Sequence, residues 1–309
     1  MICDYTTEGK VEFTGLITKC DKGKTAKGTP YLSIVLEDAS GTIDCKFWNL
    51  TDEQIDLYTN GMIVDVCGDI IIHRNAIQLR IRTMKVNEEA NIVDYVRRSA
   101  LPREEMEKEV DSFMAMVDDE ALFALTQTIL DDVKEEFYTY TAATKNHHNF
   151  VGGLAQHSIY MTRMALQIQS LYPWLDKDLL ICGCLLHDIG KIEELSSPVL
   201  PEYTNEGNLI GHISLIGNRV DRTAYNLGIE KEESVLLLKH MVLSHHGKTE
   251  FGSPVLPMTP EAEVLSIVDN MDARLFMMKA SLDTTQPGAF GPRIFALENR
   301  MIYKRKDKE

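Results

Sequence analysis

The sequence predicts a multidomain α and β protein, with a small five-stranded β-barrel followed by an all-helical domain. Three observations carry this. Residues 10–86 alternate apolar and polar positions with period two, and from residue 101 onward the apolar residues recur at helical spacing. Eight of the nine histidines fall between residues 147 and 246. A chain of 309 residues is long enough to bury two cores.

Val11, Phe13 and Leu16-Ile17 open the first strand. Tyr31–Leu36 and Thr42–Trp48 follow, with Gly41 at the turn between them. Thr51–Tyr58 reads as a short helix, and Met62–Ile72 and Ala76–Val86 supply two more strands around His73-Arg74-Asn75. Five strands with a helix between the third and fourth is the order of an OB-fold barrel, here assigned to residues 1–87. Lys19, Lys22, Lys24 and Lys27 crowd the expected loop between strands one and two, where OB-folds commonly grip nucleic acid. Alternation points Leu32, Ile34, Leu36, Ile43, Cys45 and Phe47 inward, leaving Tyr31, Lys46 and Trp48 outward. Rings beside lysines suit single-stranded RNA or DNA, since a stacked base is worth roughly 1–3 kcal/mol. A solvated lysine loop and a barrel-capping Trp48 fit the same residues equally well.

The net charge of −15 speaks against a polyanion as partner for the chain as a whole. Its distribution speaks differently: residues 10–87 are electrically balanced, and the acidity lies beyond them. Residues 88–145 read as a helical connector, with helix starts at Leu101-Pro102 and Asp118-Asp119. Residues 146–285 form the helical domain and residues 286–309 a solvated tail. Six cysteines without a Cys-x-x-Cys pair read as reduced thiols of a cytoplasmic protein. No run of ~20 apolar residues predicts a membrane span.

The apolar run Leu179–Leu186 delivers His187 and Asp188 to the point where a helix should stop, with Gly190 the expected left-handed terminator. Burying an unpaired carboxylate costs several kcal/mol, so a partner or a metal must offset it. His157 shares a helical face with Met161, Met164, Ile168 and Leu171, and His212 precedes the apolar row Ile213, Ile216 and Val220. His245-His246-Gly247 ends a second apolar run. Asp269 sits in the stripe Ala262, Leu265, Ala273 and Phe276, with Asp272 nearby as its expected hydrogen-bonding partner. Singly, each inward histidine is explained by core packing. Jointly, His157, His187, Asp188, His212, His245 and Asp269 exceed what one tetrahedral ion takes, and they suit two divalent ions bridged by Asp188. Two such ions roughly 3.5–4 Å apart activate water and stabilise the leaving oxygen of a phosphoester. Lys191, just beyond the pair, would neutralise a phosphate oxygen and join Asp188 as a catalytic residue.

His157, His187-Asp188 and Asp269 together resemble the signature of the HD-domain metal-dependent phosphohydrolases, with His187-Asp188-Ile189-Gly190-Lys191 their most recognisable segment. The added histidines at 212 and 245 resemble the two-metal branch of that superfamily. An OB-fold ahead of Gly152-Gly153-Leu154-Ala155-Gln156-His157 and Leu243-Ser244-His245-His246-Gly247-Lys248 is similar to the YhaM-type 3′→5′ exoribonucleases. The resemblance implies an all-α HD domain and two divalent ions, Mn²⁺ foremost and Co, Fe, Ni or Zn in the same donor class. It also implies processing of single-stranded RNA or DNA from the 3′ end to mononucleotides. His245 is favoured over His246 as ligand, and His147 and His148 are candidates to line the substrate path. Self-association into a homo-oligomer is compatible with the sequence. Two rival readings are a hydrolase of free nucleotides with a regulatory barrel and a non-catalytic strand-binding protein with structural metals. Lys191 argues against the second, because a structural site has no use for a phosphate-binding cation.

Overall fold

The computed structural model describes residues 1–73, 76–142, 150–283 and 285–306, which divide into two compact units, Met1–Arg98 and Ser99–Glu309. Each is described by itself.

In the first unit β1 (Gly9–Lys24), β2 (Pro30–Asp38), β3 (Gly41–Trp48), β4 (Ile63–His73) and β5 (Ala76–Val86) close into a barrel in the order β1-β2-β3-β5-β4. This is the predicted OB-fold, with β3 and β5 parallel and the other pairs antiparallel. Alternation fixes the core: Leu32, Ile34 and Leu36 pair across the sheet with Phe47, Cys45 and Ile43, and all but the partly buried Phe47 are buried. Asp38 shapes the β2–β3 turn, its carboxylate accepting hydrogen bonds from the backbone N–H groups of Ser40 and Gly41. The expected helix over 51–58 is only a 3₁₀ turn at Gln54–Asp56.

The lysine-rich loop is shorter than the sequence suggested. β1 remains paired to β2 as far as Lys24 opposite Pro30, so Lys19, Lys22 and Lys24 stand on the strand and Lys27 alone lies in the turn. Polar residues in an outward register hid this continuation, because alternation is legible only where one face is apolar.

The second unit is helical: α1 (Arg103–Met114), α2 (Glu120–Asp132), α3 (Lys134–Phe137), α4 (Gly153–Leu171), α5 (Lys177–Leu186), α6 (Lys191–Glu194), α7 (Asn205–Leu209), α8 (His212–Leu227), α9 (Glu233–Ser244) and α10 (Pro260–Asp283). Helix α5 is buried on all sides between α2, α4, α9 and α10, which explains why its sequence is apolar without a polar stripe. Asp176 caps it, accepting from the N–H groups of Asp178 and Leu179. Residues 103–137, expected in a connector, belong to this core: Met106, Phe113, Leu125 and Ile129 pack in one apolar cluster with Leu180 and Leu185. An amphipathic helix must bury its apolar face somewhere, and here that is the helical unit.

Part of the expected C-terminal tail is also ordered. Strands β6 (Phe290–Ile294) and β7 (Arg300–Tyr303) form an antiparallel hairpin, with Leu297 between them fully buried. Gly291 permits close approach to α10, since a methyl group there would meet Ser281 Oγ at 2.5 Å. Among the described residues no helix is long and apolar enough to cross a membrane.

Candidate metal centre and strand-binding face

Five helices bring their ends or inner faces to one point. His157 lies in the first turns of α4, His187 and Asp188 directly follow α5, and His212 begins α8. His245 directly follows α9, and Asp269 projects from α10. His157, His187 and His245 are fully buried, and Asp188 is 2% exposed.

Asp188 stands at the centre. Its Oδ2 lies 3.3 Å from His187 Nε2 and 3.9 Å from His157 Nε2, while Oδ1 lies 3.7 Å from both His212 Nε2 and His245 Nε2. One carboxylate therefore faces a different imidazole pair with each oxygen. Asp269 Oδ1 approaches His157 Nε2 at 3.2 Å, and the ligand atoms of His157, His187 and Asp269 all fall within 4.8 Å of one another. A second set with the same spread is His212, His245 and His246. The sequence favoured His245 over His246, but both converge here, with His246 half-buried at the edge.

The ring tautomers are set from behind. His187 Nδ1 bonds the Cys184 carbonyl at 3.0 Å, and His245 Nδ1 bonds the Val242 carbonyl at 2.7 Å. A carbonyl only accepts, so Nδ1 carries the proton and Nε2 presents its lone pair inward. His212 Nδ1 sits 3.0 Å from Glu194 Oε1, and His157 Nδ1 sits 2.6 Å from Asp272 Oδ2. Asp272 thus serves His157, where the sequence suggested Asp269. Such carboxylate–imidazole pairs are the usual outer support of metal-binding histidines. Glu194 was not anticipated, because its role depends on α6 folding back toward the start of α8, which no local pattern announces.

Gly190 departs from expectation in conformation but not in importance. Its φ of −58° is right-handed, so it is no left-handed terminator. It is needed for space instead: a methyl group there would meet the His212 carbonyl oxygen at 2.1 Å.

The electrostatics favour added positive charge. Burial works against ionised Asp188, yet Lys191 and the His187 and His212 rings hold its carboxyl well below the usual carboxylate range. Burial likewise opposes an ionised Asp269, and the His157 contact overrides it, keeping the group below its ordinary value. Burial would depress His157, but Asp269 and Asp272 raise it to about 9, so a bound cation would have to take the place of its Nε2 proton. Burial, reinforced by His187 and His246, pushes His245 well below the ordinary imidazole value and keeps it neutral. Lys191 Nζ donates to Asp188 Oδ2 at 2.6 Å from a buried position.

The residues present fit divalent ions. Among the described residues, the buried Nε2 atoms of His187, His212 and His245 and Oδ1 of Asp188 have no hydrogen-bond partner. Leaving so many buried polar atoms unsatisfied would cost several kcal/mol unless another group binds them. Atoms sharing one ion at about 2.1 Å stand roughly 3–4 Å apart, as most of these do. Mixed imidazole and carboxylate donors suit borderline ions of the Mn-to-Zn series. If Asp272 supports His157 in this way, Asp272→Asn lowers Mn²⁺ affinity about 10–100-fold. Equilibrium dialysis checks this, and unchanged affinity would remove Asp272 from that role.

On the barrel, Tyr31 and Trp48 are cross-strand partners with ring centroids 4.6 Å apart, and Trp48 is 36% exposed. Lys46 Nζ lies 5.4 Å from the Tyr31 ring centre and donates to Ser33 Oγ at 2.7 Å. Tyr31 lies over Gly23, where a methyl group would meet the ring. The structure thus brings Tyr31, Lys46 and Trp48 together on one face. Lys22 is instead paired with Asp56, and Lys24 and Lys27 are exposed beyond that cluster. His147 and His148, expected along the substrate path, lie outside the described residues.

Comparison with known proteins agrees with both units. Residues 154–274 match the HD domain family, and residues 11–87 match the OB-fold nucleic acid binding domain family. Similar solved structures include a replication protein A heterotrimer bound to single-stranded DNA (20% identity, TM-score 0.21), with 26% of this chain and 59% of that one covered. PriB of Ralstonia solanacearum is 13% identical over 26% of this chain and 97% of its own, with TM-score 0.23. The single-stranded DNA-binding protein of Thermus aquaticus is 16% identical over 26% of this chain and 41% of its own, with TM-score 0.25. The chain thus carries an OB-fold barrel followed by a helical HD domain, and the HD match indicates a metal-dependent phosphohydrolase.

Proposed function

We propose that this protein is a metal-dependent 3′→5′ exoribonuclease that shortens single-stranded RNA, and single-stranded DNA with it, to nucleoside 5′-monophosphates. The observation that carries this reading is the Asp188 carboxylate set between two imidazole pairs, an arrangement suited to two ions sharing one ligand. His157, His187 and Asp269 would hold one ion and His212, His245 and His246 the other, with Asp188 common to both. Two bound divalent ions, Mn²⁺ by this reading, supply an activated water and neutralise charge on the leaving oxygen.

The chain's own groups do the rest. Glu194 and Asp272 fix the rings of His212 and His157, so that the Nε2 atoms stay aimed inward. Lys191 keeps Asp188 ionised and places a buried positive charge beside the site of phosphate attack. Packing of α5 on all sides keeps bulk water from the inner face. Tyr31, Lys46 and Trp48 offer stacking faces and a cation to a single strand held by the barrel. The direction of attack rests on the likeness of the Gly152–His157 and Leu243–Lys248 segments to the YhaM-type exoribonucleases.

The test is to incubate the protein with 5′-labelled single-stranded RNA with and without Mn²⁺. Labelled products that shorten progressively from the 3′ end, only with metal, are expected. Immediate release of a labelled mononucleotide, or internal cuts alone, would overturn the reading.

A further inference from the structure

The β6–β7 hairpin carries a charge opposite to that of the chain around it. Residues 285–306 hold Arg293, Arg300, Lys304, Arg305 and Lys306 against a single carboxylate, Glu298, in a chain of net charge −15. Glu298 is already shared by Arg274 and Arg300, at 3.2 and 2.9 Å. Arg293 and Lys304 donate to the backbone carbonyls of Asn299 and Leu282, neutral acceptors that leave both charges in place. Arg305 and Lys306 are exposed. Cations gathered without a local counter-charge attract an anion to this edge of an otherwise acidic chain.

The same hairpin turns an apolar face to solvent. Pairing sets Phe290 opposite Tyr303 and Arg293 opposite Met301, and alternation along β7 puts Met301, Tyr303 and Arg305 on that one side. Phe290, Met301 and Tyr303 are 62%, 45% and 47% exposed, and the two ring centres stand 5.2 Å apart. The other side is the packed one, where buried Gly291 approaches Ser281 of α10. The free face of a sheet covered on one side is ordinarily polar. Rings and a methionine there, set between arginines, mark a contact surface.

Flat apolar rings flanked by unpaired cations match an unpaired polynucleotide, whose bases stack while its phosphates carry the charge. A second copy laid symmetrically on this face would set these arginines against their own counterparts. We propose that the hairpin is a second strand-binding surface, with bases on Phe290 and Tyr303 and phosphates at Arg293 and Arg305. Residues 285–306 lie outside both stretches that match known families, so neither match assigns this role. The hairpin is fastened to the helix that carries Asp269: Glu298 holds Arg274, which stands about 7.5 Å along α10 from that ligand. The proposal rests on the single-stranded substrate of the reading above and not on its chemistry. It gives the acidic helical unit a basic handhold of its own.

The test measures binding of 5′-fluorescein-labelled single-stranded RNA to the full-length protein by anisotropy, without added metal, over a series of salt concentrations. Phe290→Ala with Tyr303→Ala should raise Kd about tenfold. Arg293→Gln with Arg305→Gln should flatten the slope of log Kd against log salt by about 1.4, the change for two lost phosphate contacts to a single strand. All four positions are exposed, and a parent-like Tm shows that each variant keeps its fold. Parent-like Kd and salt slope in both variants would overturn the proposal. So would an altered particle mass with unchanged RNA binding, which would make this face a self-association surface. The exonuclease reading fails separately: it is lost if the parent binds the RNA but does not shorten it once Mn²⁺ is added, while Kd and salt slope still decide the hairpin.

Discussion

Asp188→Ala should reduce Mn²⁺-dependent shortening of single-stranded RNA by at least about a thousand-fold, equivalent to ~4 kcal/mol of barrel-independent transition-state stabilisation. Asp188 faces a different imidazole pair with each carboxylate oxygen, so removing it deprives both sides of their common anion. The change has a structural cost as well. Lys191 is buried and bonded to Asp188, and an uncompensated buried charge destabilises by roughly 3–5 kcal/mol. The double variant Asp188→Ala with Lys191→Met removes that charge and should recover most of the lost stability, but none of the activity. Strand binding, measured by fluorescence anisotropy, should persist in both, because Tyr31, Lys46 and Trp48 belong to the other unit. Retention of more than a tenth of the parent activity in the single variant would sink the shared-ligand arrangement.

Gly190→Ala is the second change with a large expected effect, and its sign is diagnostic. At a right-handed position such as this one, alanine ordinarily stabilises by ~0.4–1 kcal/mol through the unfolded state. Here the added methyl would lie 2.1 Å from the His212 carbonyl oxygen and 3.0 Å from its Cα. Backbone cannot step aside by changing rotamer, so the start of α8 must move away. Overpacking of this kind costs about 1–3 kcal/mol, or several degrees in Tm for a unit of this size. The displaced residue is the one that Glu194 orients, so metal content and turnover should fall with stability. Calorimetry on the variant decides the matter: a Tm equal to or above the parent's would show that the contact yields cheaply.

The parts of this centre that were legible in the sequence are those that break a local pattern. His187-Asp188 interrupts an apolar run, His245-His246 ends another, and Asp269 sits on a buried stripe; the structure brings all of them together. What was not legible depends on distant chain. Glu194 and Asp272 matter through the ring nitrogen that each meets, and a surface carboxylate has the same local sequence. Gly190 was misread because glycine has two uses, positive φ and close approach, and only three-dimensional neighbours distinguish them. In the barrel, apolar alternation marks β2 and β3, whereas the outer half of β1 is polar on both faces and only its pairing with β2 makes it strand. The helices over 103–137 were visible as helices, but their allegiance was not, since an amphipathic face does not name the surface that covers it.

The convergence of five helices on one carboxylate has a mechanical consequence. The donors span residues 157 to 269, and they come from the ends or inner faces of α4, α5, α8, α9 and α10. Cations seated among them would act as a clasp, tying remote segments of chain at the place where like charges would otherwise push apart. The centre that cuts phosphodiesters would then also fasten its own scaffold shut, and chelation would loosen the architecture along with the chemistry.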